Sequence, residues 1–344
     1  MVKNKSLTLE PHKNLMKTKK EHIKLAEFYE DRYRQTRDVW DIIEASRHYF
    51  EDKSYAKAGD IVSGITESLC RFGYIEKARE LNTRTIGTTK GRRRAMAMNN
   101  LANIYYAQGD YKDALYWYED SKKIYEKIDD QAGLVTTYNN IGAIHQNQGN
   151  YQEALAWYEK SSKIAESIGD QKGLATTYNN IGSIHNAQGN YQEAIAWYKK
   201  SRKITEEIGD QAGLAATYNN IGMIYDAQGN YQEALAWYEK SRKIAEEIGD
   251  QTLLATTNNN IGLIHQNQGN YQEALAWYEK SKEIVERIGD KHHLAISLRN
   301  IGLLYQATGK KDKARETLKE SYQIYLQLNL PSEADKVKQL LDSL

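Results

Sequence analysis

The ten residues Tyr151–Lys160 read YQEALAWYEK, and the same ten recur without change at Tyr231–Lys240 and Tyr271–Lys280. The sequence around these copies repeats with a period of 40 residues. Each unit contains two amphipathic helical patterns, separated by Gln-Gly-Asn and joined to the next unit by Gly-Asp. A fixed period of this length indicates a repeat architecture in which every unit is one supersecondary element. The sequence therefore predicts an all-α stack of antiparallel helix pairs.

The predicted helix ends follow from glycine, asparagine and aspartate at fixed places. In one unit the first helix is predicted over residues 131–148, and Gly149 follows as a stop residue able to take left-handed backbone. Asn150 is then expected to cap the second helix, with Glu153 at the spacing of a capping box. Gly169-Asp170 repeats the stop and the cap at the far end. The asparagine–glutamate pair recurs as Asn190/Glu193, Asn230/Glu233 and Asn270/Glu273.

These residues resemble the tetratricopeptide repeat (TPR). Its pattern of aromatic, Leu-Gly, aromatic, Gly, Ala, aromatic and small residues matches Tyr138, Ile141-Gly142, His145, Gly149, Ala154, Tyr158 and Ser161. The 40-residue unit, with Asn-Asn before Ile-Gly, is similar to the long repeats of kinesin light chains and spindle-orientation adaptors. The resemblance implies a right-handed superhelical TPR solenoid that binds extended peptides in its concave groove.

The repeat pattern divides the chain into four parts. Residues 1–20 are predicted to be a basic, flexible N-terminus, and residues 21–94 a degenerate TPR-like helical region. Residues 95–330 contain six 40-residue TPR units, of which the last is degenerate. Residues 331–344 begin with a proline and are predicted to form the capping helix that ends such a stack.

The degenerate region suggests a second relationship. Its runs LAEFYE, VWDIIEASRHYF, YAKAGDIV and LCRFGYIEKAREL resemble the start of the helical-repeat sensor in signal-transduction ATPases with numerous domains (STAND ATPases). The chain has no GxxxxGK(S/T) phosphate-binding loop. The resemblance therefore implies the ligand-sensing or regulatory arm of a signalling ATPase or protease system, without the effector itself.

The stripe opposite the core on each first helix is uncharged and rich in amides, and in a solenoid it lines the concave surface. A primary amide has both donors and an acceptor, so a row of amides can hydrogen-bond the backbone of an extended peptide. One row is Asn99, Asn139, Asn179, Asn219 and Asn259, and the other is Asn100, Asn140, Asn180, Asn220, Asn260 and Asn300. We predict that both rows contact a peptide. The alternative is that they are copied by duplication or hold neighbouring helices together.

Variable positions in the same groove are expected to set selectivity. One position changes from polar to apolar along the stack, through Asn103, Ala143, Ser183, Met223, Leu263 and Leu303. An apolar ligand side chain is therefore expected beside Met223, Leu263 and Leu303. Asp226 and Arg299 are the charged residues predicted to face inward, where they would bind one basic and one acidic ligand group. Drift at exposed positions is the alternative for both.

Two features bear on nucleic-acid binding. Five tryptophans occupy equivalent places on the second helices: Trp117, Trp157, Trp197, Trp237 and Trp277. We predict that they pack between repeats, since they share a face with Leu155-type positions and no basic residues interleave with them; a stacking platform for bases is the alternative. The basic run KGRRR at residues 90–94 is the alternative phosphate-binding site, in a first third of the chain that is basic overall. A net charge of +1 makes nucleic acid an unlikely partner for the chain as a whole.

Other classes of site are not indicated. His145, His185 and His265 alternate with tyrosines at one core position, so we interpret them as aromatic fillers rather than metal ligands. Cys70 is the only cysteine in 344 residues and is predicted to be a buried thiol, which fits a reducing compartment. The mean hydropathy is −0.77, with no apolar run that would cross a bilayer and no secretory signal. We therefore expect a cytoplasmic, non-enzymatic module without cofactor or metal, which binds a protein or peptide; the sequence leaves its oligomeric state open.

Overall fold

The computed structural model describes residues 19–344, and this part of the chain contains 17 α-helices and no β-strand. Most of the predicted flexible N-terminus lies outside the described residues. The helices are α1 Lys19–Thr36, α2 Val39–Glu51, α3 Tyr55–Arg71, α4 Ile75–Thr88, α5 Gly91–Ala107, α6 Tyr111–Ile128, α7 Gln131–Asn147, α8 Tyr151–Ile168, α9 Gln171–Ala187, α10 Tyr191–Ile208, α11 Gln211–Ala227, α12 Tyr231–Ile248, α13 Gln251–Asn267, α14 Tyr271–Ile288, α15 Lys291–Ala307, α16 Lys311–Gln327 and α17 Pro331–Asp342.

The helices pack as consecutive pairs, from α1 with α2 to α15 with α16, and α17 packs against α16. Each second helix also packs against the first helix of the next pair, so the pairs form one continuous stack. The predicted all-α solenoid is confirmed. The region predicted to be degenerate forms the pairs α1/α2 and α3/α4. Among the described helices, none combines the length and apolar character needed to cross a bilayer.

A tyrosine on each second helix packs against a glycine on the first helix of the same pair. Tyr158 is fully buried, and a Cβ atom placed on Gly142 would lie 2.5 Å from its ring. The hydroxyl of Tyr158 donates to Gln146 Oε1 at 3.0 Å, so the ring is buried while its polar tip is satisfied. The same close approach recurs at Gly182, Gly222 and Gly262. The repeated glycine is therefore required by the tyrosine that lies against it.

The predicted stop-and-cap signals are partly confirmed. Gly169 has φ +70°, and the Asp170 carboxylate accepts from the Gly173 N–H at 2.9 Å. The prediction of a capping box was wrong, because the side chain of Asn150 makes no capping hydrogen bond. The same holds for Asn190, Asn230 and Asn270.

The backbone of the turn explains why the glutamate half of the box does not form. A capping box needs a free N–H on the cap residue to receive the glutamate side chain. The N–H of Asn150 instead donates to the carbonyl of His145 at 2.8 Å, which closes the turn. Glu153 lies beside the His145 ring, 3.2 Å from Nδ1.

The stack curves with its first helices inside. From α5 to α15, the first helix of each pair contacts the first helix of the next pair. Among the described residues no comparable contact joins successive second helices. The row of helices that approach each other more closely is the inner row of a curved stack. The inner face of α5, α7, α9, α11, α13 and α15 is therefore the concave groove.

The curvature brings the last repeats back against the turn between α3 and α4. The turn between α3 and α4 meets the start of α15 and the turn between α16 and α17. A Cβ atom on Gly289 would lie 3.3 Å from the Phe72 ring, and one on Gly73 would lie 3.4 Å from Leu328 Cδ2. Arg71 Nε lies 3.9 Å from the buried Asp290 carboxylate. We call this contact between residues 71–75 and residues 289–291 and 328–330 the junction.

Candidate binding groove

The two asparagine rows occupy different environments. The first row, here called the buried row, comprises Asn99, Asn139, Asn179, Asn219 and Asn259; Asn179 is half-buried and the other four are buried. Four of the five amide nitrogens bond to hydroxyls in the next repeat: Asn99 to Thr137 at 2.9 Å, Asn139 to Thr177 at 3.0 Å, Asn179 to Thr217 at 2.9 Å and Asn259 to Ser297 at 3.0 Å. The Asn219 nitrogen instead lies 3.9 Å from Met223 Sδ on its own helix. The side chains of this row thus lie between repeats and hold neighbouring helices together, which was the alternative to peptide contact. The close approach of neighbouring first helices is what buries it.

The second row, here called the groove row, comprises Asn100, Asn140, Asn180, Asn220, Asn260 and Asn300, all of which are partly exposed. Asn180 Nδ2 donates to Asn139 Oδ1 at 3.2 Å, and Asn260 Nδ2 donates to Asn219 Oδ1 at 2.9 Å. These bonds orient the two amides with their nitrogens toward the preceding repeat. Their carbonyl oxygens remain available as acceptors. A row of such oxygens can receive the N–H groups of an extended backbone.

The apolar positions predicted for selectivity lie on the same first helices as the groove row. Met223 is 44% exposed and Leu263 39% exposed, whereas Leu303 is half-buried. Asn103, at the polar end of this series, accepts a hydrogen bond from the Tyr118 hydroxyl. The series therefore presents exposed apolar surface in its second half.

The two inward charges differ in whether they already have a partner. Arg299 Nη1 lies 3.4 Å from Glu333 Oε2 on α17, so an acidic group already faces it. Asp226 is half-buried, and its Oδ1 receives no hydrogen bond from residues 19–344. Burial raises the pKa of Asp226 above its ordinary value, although a hydrogen bond from Asn267 opposes the shift. An unpaired, partly desolvated carboxylate of this kind favours a cationic ligand group.

The tryptophans pack between repeats as predicted, but one of the two reasons given for that prediction, the absence of interleaved basic residues, was wrong. Trp157 packs against the cluster that contains Tyr118 and Ile141 from the preceding elements. Basic residues do interleave in space: a lysine ammonium lies 3.8–4.0 Å from the ring centroid in the pairs Lys160–Trp157, Lys200–Trp197, Lys240–Trp237 and Lys280–Trp277. Residues three apart on a helix are surface neighbours, which places each lysine over the ring. One face of these four rings is therefore covered.

The basic run at residues 90–94 is largely paired. Arg93 binds the Asp60 carboxylate through two nitrogens, at 2.7 and 2.9 Å, and Arg92 Nε lies 3.1 Å from Asp130. Two of its three arginines thus face carboxylates, which weakens this segment as a phosphate site.

The remaining candidates lie in structural positions. Among residues 19–344, no group of three or more His, Cys, Asp or Glu side chains has the arrangement needed to hold a metal ion. Cys70, on α3, is partly buried against the core of the first helix pairs. Burial raises the pKa of its thiol to about 11. At neutral pH the thiol is protonated and a poor nucleophile.

Comparison with known families agrees with this geometry. The tetratricopeptide repeat model matches residues 72–127, 93–167, 133–207, 173–247 and 253–327, which together make up more than half of the chain. The chain is a tetratricopeptide-repeat protein. Proteins of this fold are interaction modules, and the TPR resemblance drawn from the sequence is confirmed. No curated protein matches the chain.

Solved structures similar to this TPR protein include both kinds of relative expected from the sequence. BtubC (BKLC) from P. vanneervenii has a TM-score of 0.50 and 18% identity, over 66% of this chain and 92% of BtubC. A STAND protein with a tetratricopeptide repeat sensor, from Pyrococcus horikoshii, has a TM-score of 0.58 and 17% identity. That match covers 96% of this chain but 55% of the STAND protein.

A third similar structure is the Rap conjugation gene regulator of the plasmid pLS20 in complex with a peptide. Its TM-score is 0.58 with 19% identity, over 86% of this chain and 75% of the Rap protein. At these identities the three likenesses show a shared fold.

Proposed function

We propose that this TPR protein is a non-catalytic module that binds an extended peptide segment of a partner in its concave groove. The groove row supplies carbonyl acceptors for the peptide backbone, and Met223, Leu263 and Leu303 supply an apolar contact. Asp226 takes a basic group of the ligand. The observation that carries the proposal is the orientation of Asn180 and Asn260, whose amides donate to the preceding repeat and keep their oxygens available.

The comparisons support the class of ligand. The pLS20 Rap regulator, which has the same fold, is a peptide complex. The buried row adds a structural argument, because its hydrogen bonds fix the spacing between successive repeats. A preorganised row of acceptors loses little entropy when a peptide binds.

The experiment is selection of peptides from a random display library against the full chain, followed by affinity measurements on a triple variant. Asn140/Asn180/Asn220→Ala removes three groove-row amides. At about 0.5–1.5 kcal/mol for each net hydrogen bond, the loss is about 1.5–4.5 kcal/mol, or roughly 10- to 2,000-fold in Kd. Isothermal titration calorimetry with a selected peptide measures it.

The matched control removes three amides from the second helices. Gln152, Gln192 and Gln232 are exposed and equivalent to one another, so Gln152/Gln192/Gln232→Ala should leave the affinity unchanged. Equal affinity in the groove variant and its control, with both folded by circular dichroism, would contradict groove binding. Leu263→Asp tests the apolar contact separately, and unchanged binding would remove that contact from the proposal.

A second candidate function is the ligand-sensing arm of a signalling ATPase. It is favoured by the coverage of 96% of this chain in the match to the STAND protein. In that case the peptide is a signal and the readout is a change in an effector. Coexpression with a candidate effector, with and without the selected peptide, distinguishes this role from that of a passive scaffold.

A further inference from the structure

A cavity of about 420 Å³ lies where the two ends of the stack approach each other. One wall comes from the early repeats, through Tyr106, Gln108 and Asn147. The other wall comes from α15 and α17, through His292, Arg299 and Lys336. We call it the junction cavity. Because its walls belong to repeats that are far apart in sequence, it exists only while those repeats stay together.

The charged side chains of the junction cavity favour an anion. Two cationic side chains, Arg299 and Lys336, line the cavity, and Glu333 is the one anionic side chain in its lining. The Glu333 carboxylate lies 3.4 Å from Arg299 Nη1 and 2.5 Å from Lys336 Nζ. His292 adds no charge at neutral pH, because burial holds its pKa below the usual range. The lining therefore carries one uncompensated positive charge.

A buried donor in the wall also lacks a partner. Arg79 Nη2 donates to Gln108 Oε1 at 2.8 Å, which fixes the orientation of the Gln108 amide. The Nε2 atom of Gln108 is buried and has no acceptor among the described residues. An unsatisfied buried amide N–H is costly, so a ligand oxygen that reached it would be stabilised. A net positive charge with a spare donor suits a carboxylate.

We propose that the junction cavity binds a carboxylate group of the ligand and that this binding holds the junction closed. The proposal rests on the proposed function, because it places one end of the groove-bound peptide between the first and last repeats. The carboxylate comes either from the C-terminus of the peptide or from an acidic side chain. Binding at this place links ligand recognition to the shape of the whole solenoid, since it contacts both ends at once.

Cys70 reports whether the junction is open. It lines a neighbouring cavity of about 330 Å³ together with Ile75 and Leu330, and Gln108 and Leu330 line both cavities. Separation of the ends withdraws Leu330 from this cavity and exposes the only thiol of the chain. Phe72→Ser, which removes a ring packed at Gly289, should therefore speed the modification of Cys70 by the neutral reagent dithiodipyridine. Phe28→Ser is the control: this ring is 55% exposed, and its removal should leave the rate of Cys70 modification unchanged.

The test measures this modification rate on the full chain at constant ionic strength. The probes are N-acetylglycine, which has a terminal carboxylate, the α-amide of N-acetylglutamate, which has a side-chain carboxylate, and N-acetylglycinamide, which is neutral. If a probe binds only the closed form, the ratio of open to closed protein falls by a factor of 1 + [L]/Kd. At a probe concentration of ten times Kd, the modification of Cys70 therefore slows about elevenfold. At least one acidic probe should slow the reaction, and the neutral probe should not. Which acidic probe acts identifies the source of the carboxylate.

Variants locate the effect. Arg299→Gln should abolish the slowing, whereas Arg299→Lys, which keeps the charge, should retain part of it. Arg315→Gln, on α16 and 45% exposed, is the matched control and should behave as wild type. Equal slowing by the neutral probe, or slowing that persists in Arg299→Gln, would overturn the proposal. These probes do not need the groove row, so a failure here is distinguishable from a failure of peptide binding in the groove.

Discussion

Asn139 and Asn140 are adjacent, chemically identical and placed in opposite roles, so they test the division between the two rows directly. Asn139 Nδ2 lies within 3.1 Å of Val135 O, Ser161 Oγ and Thr177 Oγ1, while its Oδ1 accepts from Asn180. Its two amide protons satisfy at most two of these three acceptors. Asn139→Ala therefore removes about three hydrogen bonds from the interior of the stack.

The magnitude follows from what remains after the substitution. Three net hydrogen bonds are worth about 1.5–4.5 kcal/mol. The hydroxyls left behind keep other acceptors, since Ser161 donates to Val135 O at 3.1 Å and Thr177 to Gly173 O at 2.8 Å. Alanine also favours the helix by about 0.5 kcal/mol. We expect Asn139→Ala to cost about 2 kcal/mol in the free energy of unfolding.

Asn140→Ala should cost less than about 0.5 kcal/mol, because that side chain is partly exposed and makes one hydrogen bond of 3.4 Å, to Asn103. Urea unfolding followed by circular dichroism compares the two variants. Peptide affinity should show the reverse order, with Asn140→Ala weaker than Asn139→Ala. Coincident urea midpoints, or a larger loss of affinity in Asn139→Ala, would refute the assignment of the two rows.

Two further predictions concern packing and charge. Gly182→Ala places a Cβ 2.6 Å from the Tyr198 ring, so overpacking should lower the free energy of unfolding by about 1–3 kcal/mol and outweigh the gain in helix propensity. Gly64→Ala is the control: its Cβ meets no described atom within 4 Å, so it should raise the free energy of unfolding by up to about 1 kcal/mol. Thermal unfolding checks both, and a Gly182→Ala variant at least as stable as Gly64→Ala would contradict the packing argument. Asp226→Asn concerns a carboxyl whose pKa is raised in the folded state, so wild type loses stability as the pH rises through that pKa. The variant should be the more stable protein at pH 7, and the difference should vanish below pH 3.8, the ordinary value; a difference that does not change with pH would contradict this.

The repeat sequence was sufficient to predict the helix pairs and many of their ends. The period of 40 residues, the glycine stops and the aspartate caps are local signals, and Gly169 and Asp170 behave as the sequence indicates. The reciprocal glutamate bond of the capping box failed because the Asn150 backbone N–H is used within the turn, which residue types alone do not reveal. Asp170 makes the equivalent turn bond to Ala165 O at 2.9 Å and still caps its helix, so the two residue types differ in the side chain and not in the turn. The lysines over the tryptophans were missed, although their spacing of three residues was visible in the sequence.

The tertiary structure alone decided which asparagines face the groove and where the two ends meet. Asn139 and Asn140 are neighbours on one helix, and the approach of the next first helix buries one and leaves the other partly exposed. The junction depends on a small rotation at every repeat, summed from α3 to α17. Local periodicity fixes each helix pair, but curvature accumulates over the whole stack, so no single repeat encodes the contact between Phe72 and Gly289.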